Sequence, residues 1–346
     1  MTSGFRPRLA LSLAAVSLAG LLASCAEPAA PPAPRASIPP VTLSPRVIEQ
    51  AAGYATYMGR SLAISPAFSD GQSIAQSLTT GASYEPQQLV RGAIAYGAVV
   101  ALQDPTFVAG VRTYVTDPSL RQSVAYSILS DPNYVTSIPG AANAAGAIIA
   151  AVGGQGRQLY DQGKVVKQAA YTIQASSWSK ADVVDRAGRL QQAKTASAGP
   201  LLSDAAETAR LERAAMGAIP ATPAATAQPP YTPMVTRALA VAALAALGQA
   251  GDANLEQVMG LMSEPNAESC LNLAKLNLYQ CLAVSRPHYE DVFCLGEHAM
   301  TDTGRCLIKT SGAEMPFEAN PAIKNVVNRL APPAKPAKSK AKRRKS

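Results

Sequence analysis

Histidine is almost absent from this chain, which has only His288 and His298 among its 346 residues. A Ser-His-Asp catalytic arrangement therefore has few ways to form. The HExxH pattern of zinc proteases, the GxSxG nucleophile elbow and the Walker A phosphate loop are also absent. These absences favour a non-enzymatic protein without a cofactor over an enzyme.

Long apolar runs and strand patterns are missing as well. Beyond residue 25, the two most apolar segments, residues 138–152 and 238–247, are short and rich in alanine. A membrane-spanning helix needs about 20 apolar residues, so both segments are predicted to be buried core helices. Clean alternation of β-branched and polar residues is also absent over any useful length, which predicts an all-α body built as an irregular multi-helix bundle.

The first 25 residues have the parts of an export signal. Two arginines precede an uncharged apolar run at residues 9–22, which ends in Leu22-Ala23-Ser24-Cys25. The run has the length of a signal-peptide core and is too short to span a membrane. Its end resembles the lipobox of bacterial lipoproteins. The rival interpretation is an ordinary secretory signal with a chance cysteine.

The lipobox resemblance implies where the protein resides. Residues 1–24 would be a signal peptide, and the Cys25 sulfur would carry the lipid that holds the chain at a membrane. The next residue is Ala26 rather than aspartate, which by resemblance to enteric sorting favours the outer membrane, facing the periplasm. Residues 25–43, rich in alanine and proline, are predicted to be a disordered tether.

The positive charge is concentrated at the two ends of the chain. The formal net charge is +8, but two cations belong to the signal peptide and seven lie in residues 332–346. The body between them is close to neutral, so a nucleic-acid-binding face is not indicated. The tail, 332–346, is predicted to be disordered. Its partners would be peptidoglycan carboxylates or anionic lipid, unless it is a solvated segment with no dedicated partner.

Prolines mark the predicted helix starts. Ser44-Pro45 and Pro86 each begin a helix. Aspartates before proline are predicted to cap three further short helices, with a large side chain two residues beyond each proline pointing into the core. These aspartates are Asp104, Asp117 and Asp131, and the large residues are Phe107, Leu120 and Tyr134.

The remaining body is predicted to be helical on both sides of one linker. Small residues at steps of four within residues 139–154 indicate a buried central helix, with a membrane-inserting helix as the alternative. Ser179 and Asp182 suggest a capping box at the start of a helix over 181–194. The proline-rich residues 218–233 are predicted to link a helical domain, 44–217, to a second one, 234–331.

Four cysteines remain after Cys25, all within 37 residues of one another: Cys270, Cys281, Cys294 and Cys306. An even number in an exported chain predicts two disulfides. Residues 269–282 have a helical pattern, which would put the first two about 16 Å apart, too far to bond. The spacings therefore favour a disulfide-stapled helical hairpin with nested pairs, 281 with 294 and 270 with 306. Residues 301–304 are expected to break the second arm, which leaves crossed pairing open.

Two rival interpretations stay open, one for the cysteines and one for the function of the protein. Both histidines, His288 and His298, lie among the cysteines, so a zinc site is the alternative to disulfides, although compact CxxC spacing is missing. A peptidoglycan-cleaving enzyme with an unrecognised helical site is the alternative to a scaffold, a tether or an assembly factor that contacts other envelope proteins.

Overall fold

The computed structural model describes residues 38–220 and 222–317. Within these residues every regular element is a helix, and β-type pairing is limited to two isolated bridges, Leu43 with Ala250 and Asp182 with Pro287. The predicted all-α architecture is confirmed. The predicted signal peptide, Cys25, residues 25–37 of the tether and the basic tail lie outside the described residues.

Most of the helices are joined by short turns, and most are shorter than 15 residues. In chain order they are α1 Pro45–Leu62, α2 Gly71–Ala82, α3 Pro86–Leu102, α4 Pro105–Arg112, α5 Pro118–Ser130, α6 Ala141–Ile148, α7 Gly154–Ile173, α8 Arg186–Ala198, α9 Ala205–Ala215, α10 Pro233–Ala246, α11 Leu255–Leu261, α12 Pro265–Val284, α13 His288–Cys294 and α14 Asp302–Ser311.

The predicted helix starts are confirmed at Ser44, at Pro86 and at the three aspartates. Asp104, for example, accepts a hydrogen bond from the Phe107 backbone N–H at 2.8 Å. The core prediction holds for the fully buried Phe107 but is wrong for Leu120, which is 43% exposed. Only the later turns of α5 are buried, so a residue in its first turn remains in solvent.

The two apolar segments form the centre of the molecule. The helix α6 continues through a π turn, Ile149–Gly153, into α7, and α10 is buried along almost its whole length. The small-residue face of α6 is partly covered by the linker, because the Ala227 N–H donates to the Ala142 carbonyl at 3.0 Å. In the described part of the chain, no single helix is long and apolar enough to cross a membrane. Among the described residues, only the consecutive helices α3 and α4 are long and apolar enough when taken together, and they are bent by 86° relative to each other.

The segment between residues 218 and 233 has no helix where it is described. Helices from either side of it are in contact, because α3 packs against α10 and α12. The division of the body into a domain at residues 44–217 and a second one at 234–331 stays a prediction.

The predicted capping box is wrong. Ser179 does not cap a helix, since its hydroxyl donates back to the Ile173 and Ser176 carbonyls at 2.5 and 2.9 Å. The helix α8 begins at Arg186, and Asp185 caps it by accepting from the Gly188 N–H at 2.7 Å.

Candidate functional site

The C-terminal part of the body is a helical hairpin with two disulfides. One arm is α12, and the other runs from α13 to α14. The predicted nested pairing is confirmed: Cys281 bonds Cys294 and Cys270 bonds Cys306, with Cα atoms 5.7 and 5.8 Å apart. Cys270 and Cys281 lie on one continuous helix, as the spacing argument required.

The expected break of the second arm at residues 301–304 is wrong. Helical hydrogen bonding continues through a second π turn, Leu295–Thr301, into α14. The Thr301 hydroxyl donates to the Gly296 carbonyl at 2.8 Å, five residues earlier, which suits this wider turn. Because the arm is continuous, it presents Cys294 and Cys306 in register with the facing helix.

Glycine contacts bring this second arm against α7. A Cβ atom placed on Gly163 would lie 2.6 Å from the Thr301 backbone nitrogen, and one on Gly296 would lie 2.4 Å from that of Lys167. Side chains at either position would push the two backbones apart. The close approach places the aromatic end of α7 beside α13.

Two arginines of α8 hold the turn of the hairpin. Arg186 donates through Nε to the Ser285 carbonyl and through a terminal nitrogen to the Ala283 carbonyl, both at 2.9 Å. Arg189 donates to the Leu282 carbonyl. The last carbonyls of a helix have no partner within the helix, and the positive charge of arginine favours this end of its dipole.

Arg189 also forms a buried ion pair with Asp291 at the start of the second arm. Asp291 is almost fully buried and accepts a hydrogen bond from the Ser285 hydroxyl at 2.8 Å. Burial raises the pKa of Asp291, and the nearby Arg189 opposes that rise. The pair connects α8 to both arms of the hairpin.

A groove of about 450 Å³ lies between this turn and the end of α7. Its walls are the Cys281–Cys294 disulfide and, among others, the side chains of Tyr171, Gln174, Val284, Tyr289, Glu290 and Phe293. Tyr171 and Val284 are 51% and 74% exposed. Among the described residues that line it, Glu290 is the charged one. The groove therefore combines exposed aromatic and aliphatic surface with a single carboxylate.

The groove has a defined shape because its aromatic walls are supported. The Tyr171 and Phe293 rings meet edge to face, with centroids 6.4 Å apart. Lys167 holds its ammonium 5.2 Å from the Phe293 ring centroid and pairs with Glu297 at 2.8 Å. An edge-to-face contact and a cation on the ring each favour one orientation of Phe293.

The structure separates the two histidines. The His288 ring packs on Gly71 and lies 6.3 Å from the Trp178 ring, whereas His298 Nδ1 lies 2.9 Å from the Asp302 carboxylate. The four cysteines are bonded to one another, so they are not available as zinc thiolates. Over residues 38–220 and 222–317, no three or more histidine, cysteine or acidic side chains form a group that could hold a metal.

One lysine of the body is buried, which the sequence pattern did not indicate. Lys275 of α12 donates to the Ala82 carbonyl at 2.5 Å and to the Ser197 hydroxyl at 3.0 Å, and its ammonium lies 3.4 Å from the Tyr84 ring centroid. Burial lowers the pKa of Lys275 well below its ordinary value. The ammonium sits where α2 and α8 end, so it joins three helices.

Comparison with known proteins found no matching family model, no similar curated protein and no similar solved structure. The groove, the two disulfides and the sequence signals at the ends of the chain are therefore the basis for a functional proposal.

Proposed function

We propose that this chain is an exported, lipid-anchored protein of the bacterial cell envelope that acts as a non-enzymatic scaffold, tether or assembly factor. The observation that carries the proposal is Leu22-Ala23-Ser24-Cys25 at the end of an export signal. The two disulfides support it, because such bonds persist in oxidising compartments such as the periplasm. The proposed location is the outer membrane, with the body facing the periplasm.

The groove favours a scaffold over a peptidoglycan-cleaving enzyme. Glycosidases usually place two carboxylates on either side of the bond that they cut. This groove is lined by one, Glu290, and its Oε2 already accepts the Arg286 backbone N–H at 2.7 Å. An exposed apolar groove with one acid among the described residues that line it is better suited to docking a protein segment.

The basic tail offers a second contact with the envelope. Its lysines and arginines have the sign needed to meet peptidoglycan carboxylates or lipid phosphates. The body would then be held by lipid at one end and by charge at the other.

The test of the proposal is Cys25→Ser in the full chain expressed in a bacterium. Incorporation of labelled palmitate should be lost, and the protein should leave the membrane fraction or accumulate as its precursor. Ser24→Ala is the matched control, because it keeps a small residue before the cut and should label normally. Continued labelling and membrane association of Cys25→Ser would show that the anchor is elsewhere.

A further inference from the structure

We propose that the groove beside the Cys281–Cys294 disulfide binds the proline-rich start of this chain's own tail, residues 331–337. The proposal is independent of the lipid anchor. It depends on the chemistry of the groove, the sequence of the tail and the length of chain between them.

The groove has the composition that binds a polyproline helix. Such ligands dock on surfaces formed by aromatic side chains, because proline rings pack flat against them and little conformational entropy is lost on binding. Tyr171, Tyr289 and Phe293 line the groove, and Tyr171 is 51% exposed. The Gln174 amide lies in the same wall and can hydrogen-bond the free carbonyls of a polyproline backbone.

The tail has the matching pattern. Residues 331–337 read Ala-Pro-Pro-Ala-Lys-Pro-Ala. A polyproline helix has three residues per turn, so Pro333 and Pro336 would share one face of the bound segment. Lys335 falls between them, and its charge complements Glu290, the charged residue among those described in the lining.

The chain is long enough for this contact within one molecule. The arm from Phe293 to Ser311 covers 18 residues, so the groove lies about 27 Å back along the arm from the end of α14. Residues 318–331 would bridge this distance, since 14 residues span about 20 Å as a flexible chain and about 48 Å when extended. A linker whose average length is close to the required distance gives a high effective concentration, so even a weak contact would be populated.

The tether is a natural control because it has a similar composition. Its Pro31-Pro32-Ala33-Pro34 segment precedes Ile38, and the backbone there is fixed by Thr42, which donates to the Ala245 carbonyl at 3.0 Å. The proposal names the tail alone, so the tether prolines are the control for unspecific binding of proline-rich sequence to the groove.

Photo-crosslinking in the full chain tests the proposal. A benzophenone amino acid at Ala334 should crosslink to peptides spanning residues 281–294 of the same molecule, in a monomer band whose yield does not change with protein concentration. The same amino acid at Ala33 should not label those peptides. Replacing both Pro333 and Pro336 by alanine removes the two rings that would share the bound face, so it should lower the yield clearly.

A groove variant provides the reciprocal measurement. Tyr171→Ser should reduce the Ala334 crosslink at least about threefold, whereas Tyr126→Ser, at a 73% exposed tyrosine on α5, should leave it unchanged. Crosslinks to other surfaces, an unchanged yield in the proline variant, or equal labelling from Ala33 would overturn the proposal. A crosslink found only between two copies would replace it with an intermolecular contact.

Discussion

The two disulfides differ chiefly in the length of chain that they enclose, so removing each should have a different and calculable effect. Cys281 and Cys294 are 13 residues apart in sequence, and Cys270 and Cys306 are 36 apart. Chain-entropy theory gives about 3 kcal/mol for the shorter loop and about 4 kcal/mol for the longer one, through the restricted unfolded state. The outer disulfide should therefore contribute about 1 kcal/mol more to stability than the inner one.

The structure makes this comparison well matched. Each disulfide has one buried cysteine, Cys294 or Cys306, and one half-buried cysteine, Cys281 or Cys270. Replacing the buried partner by alanine and the half-buried one by serine leaves similar cavities in the two variants. The packing losses should then nearly cancel, and the difference between the variants should report the loop lengths.

The assay is thermal and denaturant unfolding of three oxidised proteins: the original chain, Cys281→Ser/Cys294→Ala and Cys270→Ser/Cys306→Ala. For a body of this size the midpoint should fall by roughly 5 °C for the inner pair and roughly 7 °C for the outer pair. If the inner variant lost as much stability as the outer one, or more, loop entropy would not be the source of the stabilisation. Native packing at Cys294 would then be the better explanation.

Three further predictions concern charge. Arg189→Met should lower the free energy of unfolding by about 3–5 kcal/mol, because it leaves the Asp291 carboxylate buried without its cation. The loss should shrink as pH falls, and it should also shrink in the double variant with Asp291→Asn. Equal losses at all pH values would contradict this prediction. The pKa of Lys275 is lowered only in the folded protein, so the unfolded chain binds more protons, and the contribution of Lys275 to stability should rise as pH approaches 10.5. Burial raises the pKa of Tyr54, Tyr57 and Tyr84, which acts in the opposite direction above about pH 9. The test is therefore the stability of the original chain relative to Lys275→Met, which should rise with pH; a difference that does not change with pH would refute the argument. Deleting residues 338–346 should leave the melting temperature unchanged. It should weaken retention on peptidoglycan or anionic vesicles at low salt, where the positive charges of the tail are least screened. Retention that is insensitive to salt would exclude an electrostatic role for the tail.

Much of the local structure was predictable because it depends on neighbours in the chain. Asp104 caps a helix through a local contact, since its carboxylate reaches a backbone N–H three residues later. The rise per residue of one helix excluded a bond between Cys270 and Cys281 and so favoured the nested disulfides over one of the two alternatives. The errors at Ser179 and Leu120 have the opposite cause. Both residues have the expected local sequence, but tertiary contacts gave Ser179 other acceptors and left the first turn of α5 in solvent.

The candidate groove was not predictable in the same way. Tyr171, Val284 and Phe293 come from separate helices, and no sequence period relates them. Their meeting depends on the close approach at Gly163 and Gly296, which reads in sequence as two ordinary helical glycines. Arg189 and Lys275 likewise have the pattern of solvent-facing charges until the packing of three helices buries them.

By itself the sequence determined the helical class and the main helix starts and favoured the nested cysteine pairing, because each depends on hydrogen bonds or distances within a short stretch of chain. Only the tertiary structure decided which charges are buried, where the second arm widens into a π turn instead of breaking, and that a disulfide and three aromatic residues form one groove. These features depend on the distance between backbones far apart in sequence. That distance is set by all the side chains packed between them, and no local pattern encodes it.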